Sequence, residues 1–257
     1  MSSLAIQPST PKLPRLALLA CQVFEREIAL HTAGASHILE TRFFEVGLHD
    51  RPDQLRAKLQ AELNSIEARN DIEAVALAYG LCGLGTAGLY PQRYKLVIPR
   101  AHDCITVFMG SKEAYAQHQR ACPACYYYTP GWNRSRRVPG PEKLQSLKME
   151  LAKKFDADDI EFLIETERAQ WSQHDTATYL DLGTDDAEPE ADYARRCAGW
   201  LGWKFEHIRG DAKLLRDLLW GNWDAARFQI IEPGMQLGHV PDDNIMRAEP
   251  LPKNPHA

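Results

Sequence analysis

The sequence predicts an α/β fold with a mostly parallel, Rossmann-like sheet flanked by helices, and three observations carry that prediction. Short, continuous apolar runs recur at 16–20 (LALLA), 74–78 (AVALA) and 96–99 (LVIP), as strands buried on both faces read. Between them lie segments with helical spacing, which supply the crossovers of about a dozen residues that parallel pairs require. Each run also leads into a turn that holds a cysteine: Cys21, Cys82 and Cys104.

In chain order, residues 1–14 carry Pro8, Pro11 and Pro14 and read as a loose arm. The first strand, from Leu16, ends at Cys21 and passes into a helical pattern through Phe24, Ile28 and Ala29. Residues 38–46 favour a strand because Thr41, Phe43 and Phe44 suit a pleated surface. Pro52 and Asp53 then open a long amphipathic helix whose apolar face is Leu55, Leu59, Leu63 and Ile66. Residues 71–79 form the third strand, closed by a glycine-rich loop at 80–88, and 96–99 the fourth. Residues 105–119 read as one helix, and 121–140 as an irregular loop crossing the sheet edge and capping the site.

Beyond it come helices at 141–154 and 158–173, a strand at 177–182, and an acidic linker, DDAEPEAD. A helix at 193–201, a strand at 204–208, a helix at 212–219, a strand at 228–231 and a loose tail from Glu249 complete the pattern. The expected division is an N-terminal lobe over 15–140 and a C-terminal lobe over 141–248, with the site between them, since clefts at domain junctions are favoured ligand sites.

With 44% hydrophobic and 25% charged residues in 257, the composition is that of a globular protein. A formal net charge of -5 argues against nucleic acid as a general partner. Neither a signal-peptide core nor a run of eighteen apolar residues is present, so a cytoplasmic location and no membrane partner are expected. There the six cysteines read as reduced thiols or metal ligands.

The chemistry is expected at the carboxyl ends of the strands, where sheets of this kind bind ligands. Cys21, Cys82, Cys104 and His102 form a set of three thiols and one imidazole suited to zinc or an iron–sulfur cluster. His102, Glu25 and Arg100 are candidates for acid–base or substrate-positioning work on a small molecule, and Gly83, Gly85 and His49 for holding a cofactor. Asp103 reads more readily as a helix N-cap, and Asp50 likewise. A metal-free alternative has one cysteine activated as a nucleophile by His102 and Arg100. Cys122 and Cys125 form a C-x-x-C, on its own a weak sign of zinc or redox work. Tyr126, Tyr127, Tyr128 and Trp132 could stack on a flat ligand, although packing beneath a loop is the stronger reading. The cluster of Arg134, Arg136 and Arg137 reads as a solvated loop.

The stretches ACQVFEREI, FEVGLHDRPDQLRAKLQ, AYGLCGLGTAGL, PRAHDCITVFMGS and YYTPGW together resemble the motifs of a bacterial and archaeal family catalogued as domain of unknown function 1638. The resemblance is strongest from Leu16 to Trp132 and covers Cys21, Glu25, His49, Asp50, Cys82, Arg100, His102, Asp103 and Cys104; Cys122 and Cys125 depart from it. It implies an association with corrinoid-dependent methyl transfer. A corrinoid or methyltransferase protein would then be the partner, and the chain either an enzyme of one-carbon metabolism or a non-catalytic metal or cofactor chaperone.

Overall fold

The computed structural model describes residues 13–252. Four strands, β1 (Leu16–Cys21), β2 (Ile38–Phe44), β3 (Ala74–Ala78) and β4 (Lys95–Pro99), run parallel in the spatial order β2-β1-β3-β4. Every residue of β1 and β3 is buried, which explains their unbroken apolar sequence. The chain moves outward from β1 to β2, then returns to the other side of β1 for β3. Connections therefore diverge from the ends of β1 and β3.

A 3-10 turn (Gln22–Phe24) and helix α1 (Glu25–His31) follow β1. Helix α2 (Pro52–Ile66) has proline in its first turn and buries Leu55, Leu59, Leu63 and Ile66, the face that the spacing predicts. After β4 the single helix expected over 105–119 is two, α3 (Cys104–Met109) and α4 (Lys112–Ala121). Gly110 stops the first in a left-handed conformation where a side chain would meet Asp211, and the Ser111 hydroxyl caps the second.

The segment expected as a loop over 121–140 is ordered. It holds β5 (Cys125–Tyr128) and the short helix α5 (Pro130–Arg134). Helices α6 (Pro141–Leu151) and α7 (Ala157–Trp171) precede β6 (Thr176–Asp181). Helix α8 (Ala187–Leu201) begins inside the expected acidic linker, whose Glu188 and Glu190 occupy its first turn, where acids favour a helix. Strand β7 (Lys204–Arg209) completes a parallel three-stranded sheet, β5-β6-β7. Helix α9 (Lys213–Leu219) packs on β3 and β4. Strand β8 (Phe228–Ile231) then joins the five-stranded sheet antiparallel to β4.

The sheets do not divide the chain at residue 140: β5 lies in the smaller sheet, and β8 returns to the larger. The loose tail expected from Glu249 is corrected too. Glu249 and Pro250 end β10 (Met246–Pro250), paired with β9 (Met235–His239) in a hairpin. The arm expected over 1–14 lies, apart from residues 13 and 14, outside the described residues, as do 253–257. No helix among the described residues is long and apolar enough to cross a membrane.

The turns after β3 and β4 are stitched together. Leu81 donates its N–H to Ala101 and Cys82 donates to His102, both at 2.9 Å. Such proximity requires glycine at position 80, where a Cβ would stand 2.7 Å from the Asp103 nitrogen and 2.8 Å from the Ala101 oxygen. Gly80→Ala is expected to cost about 1–3 kcal/mol in denaturant unfolding, as overpacking does. Gly199→Ala, in open space on α8, is expected to be neutral or to stabilise by up to about 1 kcal/mol. Equal effects at the two positions would contradict the tight junction.

Candidate functional site: a cavity lined by three thiols

The carboxyl ends of the strands deliver three thiols to one cavity. Cys21 is the last residue of β1, Cys82 lies in the turn after β3, and Cys104 opens α3 beyond β4. All three line a cavity of about 330 Å³, together with Tyr79, Asp103 and residues of the smaller sheet and its helix, including Tyr126, Tyr127 and Trp132. That volume suits a small molecule. Cys82 reaches its place through a left-handed backbone with φ of +46°, which is costly for a residue with a side chain. Such strain persists only where its surroundings hold it, and here the hydrogen bonds to the turn after β4 do so.

The far wall is fixed by a second close approach. A side chain at Gly131 would collide with the Val23 carbonyl, so glycine there lets α5 settle against the turn that follows Cys21. The Thr129 hydroxyl caps α5. Trp132 is thereby brought over the cavity, where its indole N–H donates to the Cys104 sulfur at 3.3 Å. The His49 ring meets Trp132 edge-on, with centroids 5.4 Å apart. The arginine cluster does not stand free in solvent: Arg134 pairs with Asp186, Arg136 with Glu190 and Arg137 with Asp50.

No lysine or arginine among the described residues lines the cavity. Burial raises the pKa of each thiol, and the neighbouring thiols add to the effect at two of them. Cys82 is pushed up to about 12, first by burial and then by the charge of Cys21. Cys104 is raised well above the ordinary thiol value by burial, Asp103 and the other two cysteines. Cys21 is raised by burial. The three thiols are thus in electrostatic contact and protonated near neutral pH. Burial pushes Tyr126 up to about 12, so the wall facing them is also neutral. The buried Tyr79 hydroxyl, beside Cys21, makes no regular hydrogen bond among the described residues.

The other predicted residues are dispersed. His102 is exposed and lines a separate surface cavity with Lys112, Glu113 and Asp242, because β4 ends at Pro99 and strand alternation no longer places His102 and Cys104 on one side. Arg100 donates to the carbonyls of Ala225, Asn244 and Met246 and to Gln229, tying β4 to β8 and the hairpin. Glu25 is exposed, takes a hydrogen bond from Gln22, and borders another cavity with Glu45 and Arg134. Gly83, with φ of +62°, lines the thiol cavity; Gly85 packs against Leu55. Asp103 caps α3 by accepting from the Thr106 N–H at 3.1 Å, and its other oxygen accepts from the Tyr115 hydroxyl at 3.4 Å. Asp50 does not cap α2 and instead holds Arg137. Sequence reasoning misses Tyr79 and Tyr115; the position of Tyr79 one residue beyond β3 is its only signal.

The donor set suits a thiophilic cation by its chemistry: three thiols, with the Tyr79 hydroxyl beside Cys21 and the His49 imidazole at the rim. The side chains are not pre-gathered around an ion, since among the described residues no group of three or more His, Cys, Asp or Glu stands at metal-holding geometry.

No curated protein and no solved structure matches this sequence. A family model does, over residues 43–219, a span that includes His49, Cys82, Cys104 and Trp132 and begins beyond Cys21. With more than half of its length matched, the chain belongs to the family described as protein of unknown function (DUF1638).

Proposed function

We propose that this chain binds a soft metal, zinc or the iron of an iron–sulfur cluster, through Cys21, Cys82 and Cys104, and acts there on a small substrate. One observation carries the reading: thiols from the ends of three different strands line a single cavity. The strand order supports a Rossmann-like interpretation in which Cys21 and Cys82 flank the point where connections diverge, the usual ligand position in such sheets. The aromatic wall contributed by the smaller sheet supports treating the two sheets as lobes around a cleft.

Bound there, a cation would supply Lewis acidity and favour the thiolate forms that burial opposes. The protein groups divide the remaining work. Tyr79 offers a hydroxyl to the substrate, the Tyr126, Tyr127 and Trp132 wall limits water, and His49 presents its imidazole at the rim. A metal-free cysteine nucleophile is disfavoured, because it needs a lowered thiol pKa and all three thiols are raised. If the corrinoid link implied by the resemblance holds, a corrinoid protein would dock over the opening.

The test is elemental analysis with visible absorption on protein purified without oxygen. Zinc at about one per chain and no colour supports a zinc site, whereas iron and sulfide with broad visible absorption support a cluster. Absence of both, after reconstitution with each, would overturn the reading.

A further inference from the structure

A second group of thiols lies behind the cavity wall. Helix α4 ends at Cys122, and the chain turns through Pro123 and Ala124 to Cys125, the first residue of β5. The Cys125 N–H donates to the Cys122 carbonyl at 3.3 Å, closing a four-residue turn. Such a turn holds its end Cα atoms within about 7 Å, and a disulfide spans about 4.4–6.8 Å. The two side chains already interact. Cys122 is half-buried between the exposed residues Ala121 and Pro123, whereas Cys125 is buried.

The pair has a built polar surround. The His118 Nε2 lies 3.0 Å from a Glu206 carboxylate oxygen that also accepts from the Thr178 hydroxyl at 3.0 Å. With Nε2 donating, Nδ1 is the basic nitrogen. It lies 2.6 Å from the Tyr127 hydroxyl and 3.9 Å from the Cys125 sulfur. The Tyr127 hydroxyl donates to Nδ1 and, once Nδ1 takes up a proton, is free to donate to that sulfur. An imidazole held by a carboxylate, and the Tyr127 hydroxyl, therefore stand against the buried thiol, which burial pushes up to about 11 so that it needs a base at hand, and the other thiol is left toward solvent.

We infer that Cys122 and Cys125 form a redox-active dithiol that reduces small-molecule or protein disulfides, with Cys122 attacking, Cys125 resolving and His118 accepting the proton from Cys125. Cys122, deprotonated, attacks one sulfur of the external disulfide; that S–S bond breaks and the first thiolate leaves and takes up a proton. Cys125 gives its proton to His118 Nδ1 and attacks the Cys122 sulfur of the mixed disulfide. The second thiolate leaves with the proton from His118. Two electrons pass to the external disulfide, yielding two thiols and the intramolecular Cys122–Cys125 disulfide. The Tyr127 ring lines the thiol cavity, so the oxidation state of the pair bears directly on that wall.

The full-length protein is equilibrated in reduced and oxidised glutathione at graded ratios, quenched with acid and an alkylating reagent, and mapped by peptide mass. A Cys122–Cys125 disulfide that rises and falls with the ratio is expected, with Cys21, Cys82 and Cys104 still alkylated. Cys125→Ser should trap glutathione on Cys122, while Cys122→Ser leaves Cys125 largely unreacted. His118→Asn should slow formation of the intramolecular disulfide at pH 7 by at least about tenfold, with little change in formation of the mixed disulfide on Cys122. Failure of the wild-type pair to form a disulfide at any ratio, equal trapping in both serine variants, or a zinc ion shielding both thiols from oxidation would overturn the assignment.

Discussion

Replacing Cys82 by alanine is expected to weaken metal binding by at least about 100-fold while the secondary structure is retained. Cys82 is central because it follows the strand between the other two thiols' strands, and its backbone is locked by the hydrogen bond to His102. Losing even an outer-shell partner of a metal typically costs about 10–100-fold, so loss of a directly bound thiolate should exceed that. Alanine tolerates the left-handed backbone about as well as cysteine, so folding is little affected. The affinity should also rise with pH, because each thiol must shed a proton to bind. The metal-free protein should behave oppositely. Cys82 keeps its proton to about 12 when folded, against an ordinary 9.0. Its contribution to stability is therefore fully present below pH 9 and is lost as pH rises toward 12. Competition titrations against a chromophoric chelator at several pH values, with circular dichroism as the folding control, check both statements. Unchanged affinity in the variant would count against Cys82 as a ligand.

A second large effect is expected at Glu27, which lies on α1 away from the cavity. Its side chain is fully buried, and neither carboxyl oxygen has a hydrogen-bond partner on another residue among those described. Burial lifts its pKa from 4.5 to about 7, with its own backbone N–H and then the nearby Arg134 offsetting only part of the cost. Because the folded value is the higher one, Glu27 favours folding most below pH 4.5, and that contribution is lost as pH rises through 7. A difference of this size corresponds to about 3 kcal/mol. Glu27→Gln removes the titration. The stability difference between the variant and the parent, from denaturant unfolding, should therefore move by about 3 kcal/mol in the variant's favour between about pH 4 and pH 8. A difference that does not vary with pH would mean that the carboxylate finds a partner in solution.

The parallel strands are legible because burial on both faces leaves an unmistakable apolar run, as in β1 and β3. The cysteines are legible because each follows such a run, and a strand's end fixes where the next residues lie. What escapes depends on contacts distant in sequence. The stretch from β5 onward reads as CYYYTPGW, whose tyrosines fit a loop as well as a strand until β6 pairs with it. The hairpin β9–β10 carries mixed residues, part-buried and without alternation, and gives no periodic signal. His102 shows the same limit within the site: adjacency to Cys104 in sequence does not decide on which side of a turn an imidazole leaves. Arg100 reads as chemistry because it neighbours that turn, yet its guanidinium is consumed by carbonyls more than a hundred residues away.

Whether Cys21, Cys82 and Cys104 share one ion is decided by cobalt(II) titration of the anaerobic, metal-free protein, because thiolate-to-cobalt charge-transfer absorption grows with the number of bound sulfurs. Saturation is expected at about one equivalent, with intense charge-transfer absorption that falls by a similar share in each of Cys21→Ala, Cys82→Ala and Cys104→Ala and is unchanged in Cys122→Ser. Absorption that is missing in the parent, or that survives intact in any of the three alanine variants, would contradict a shared ion.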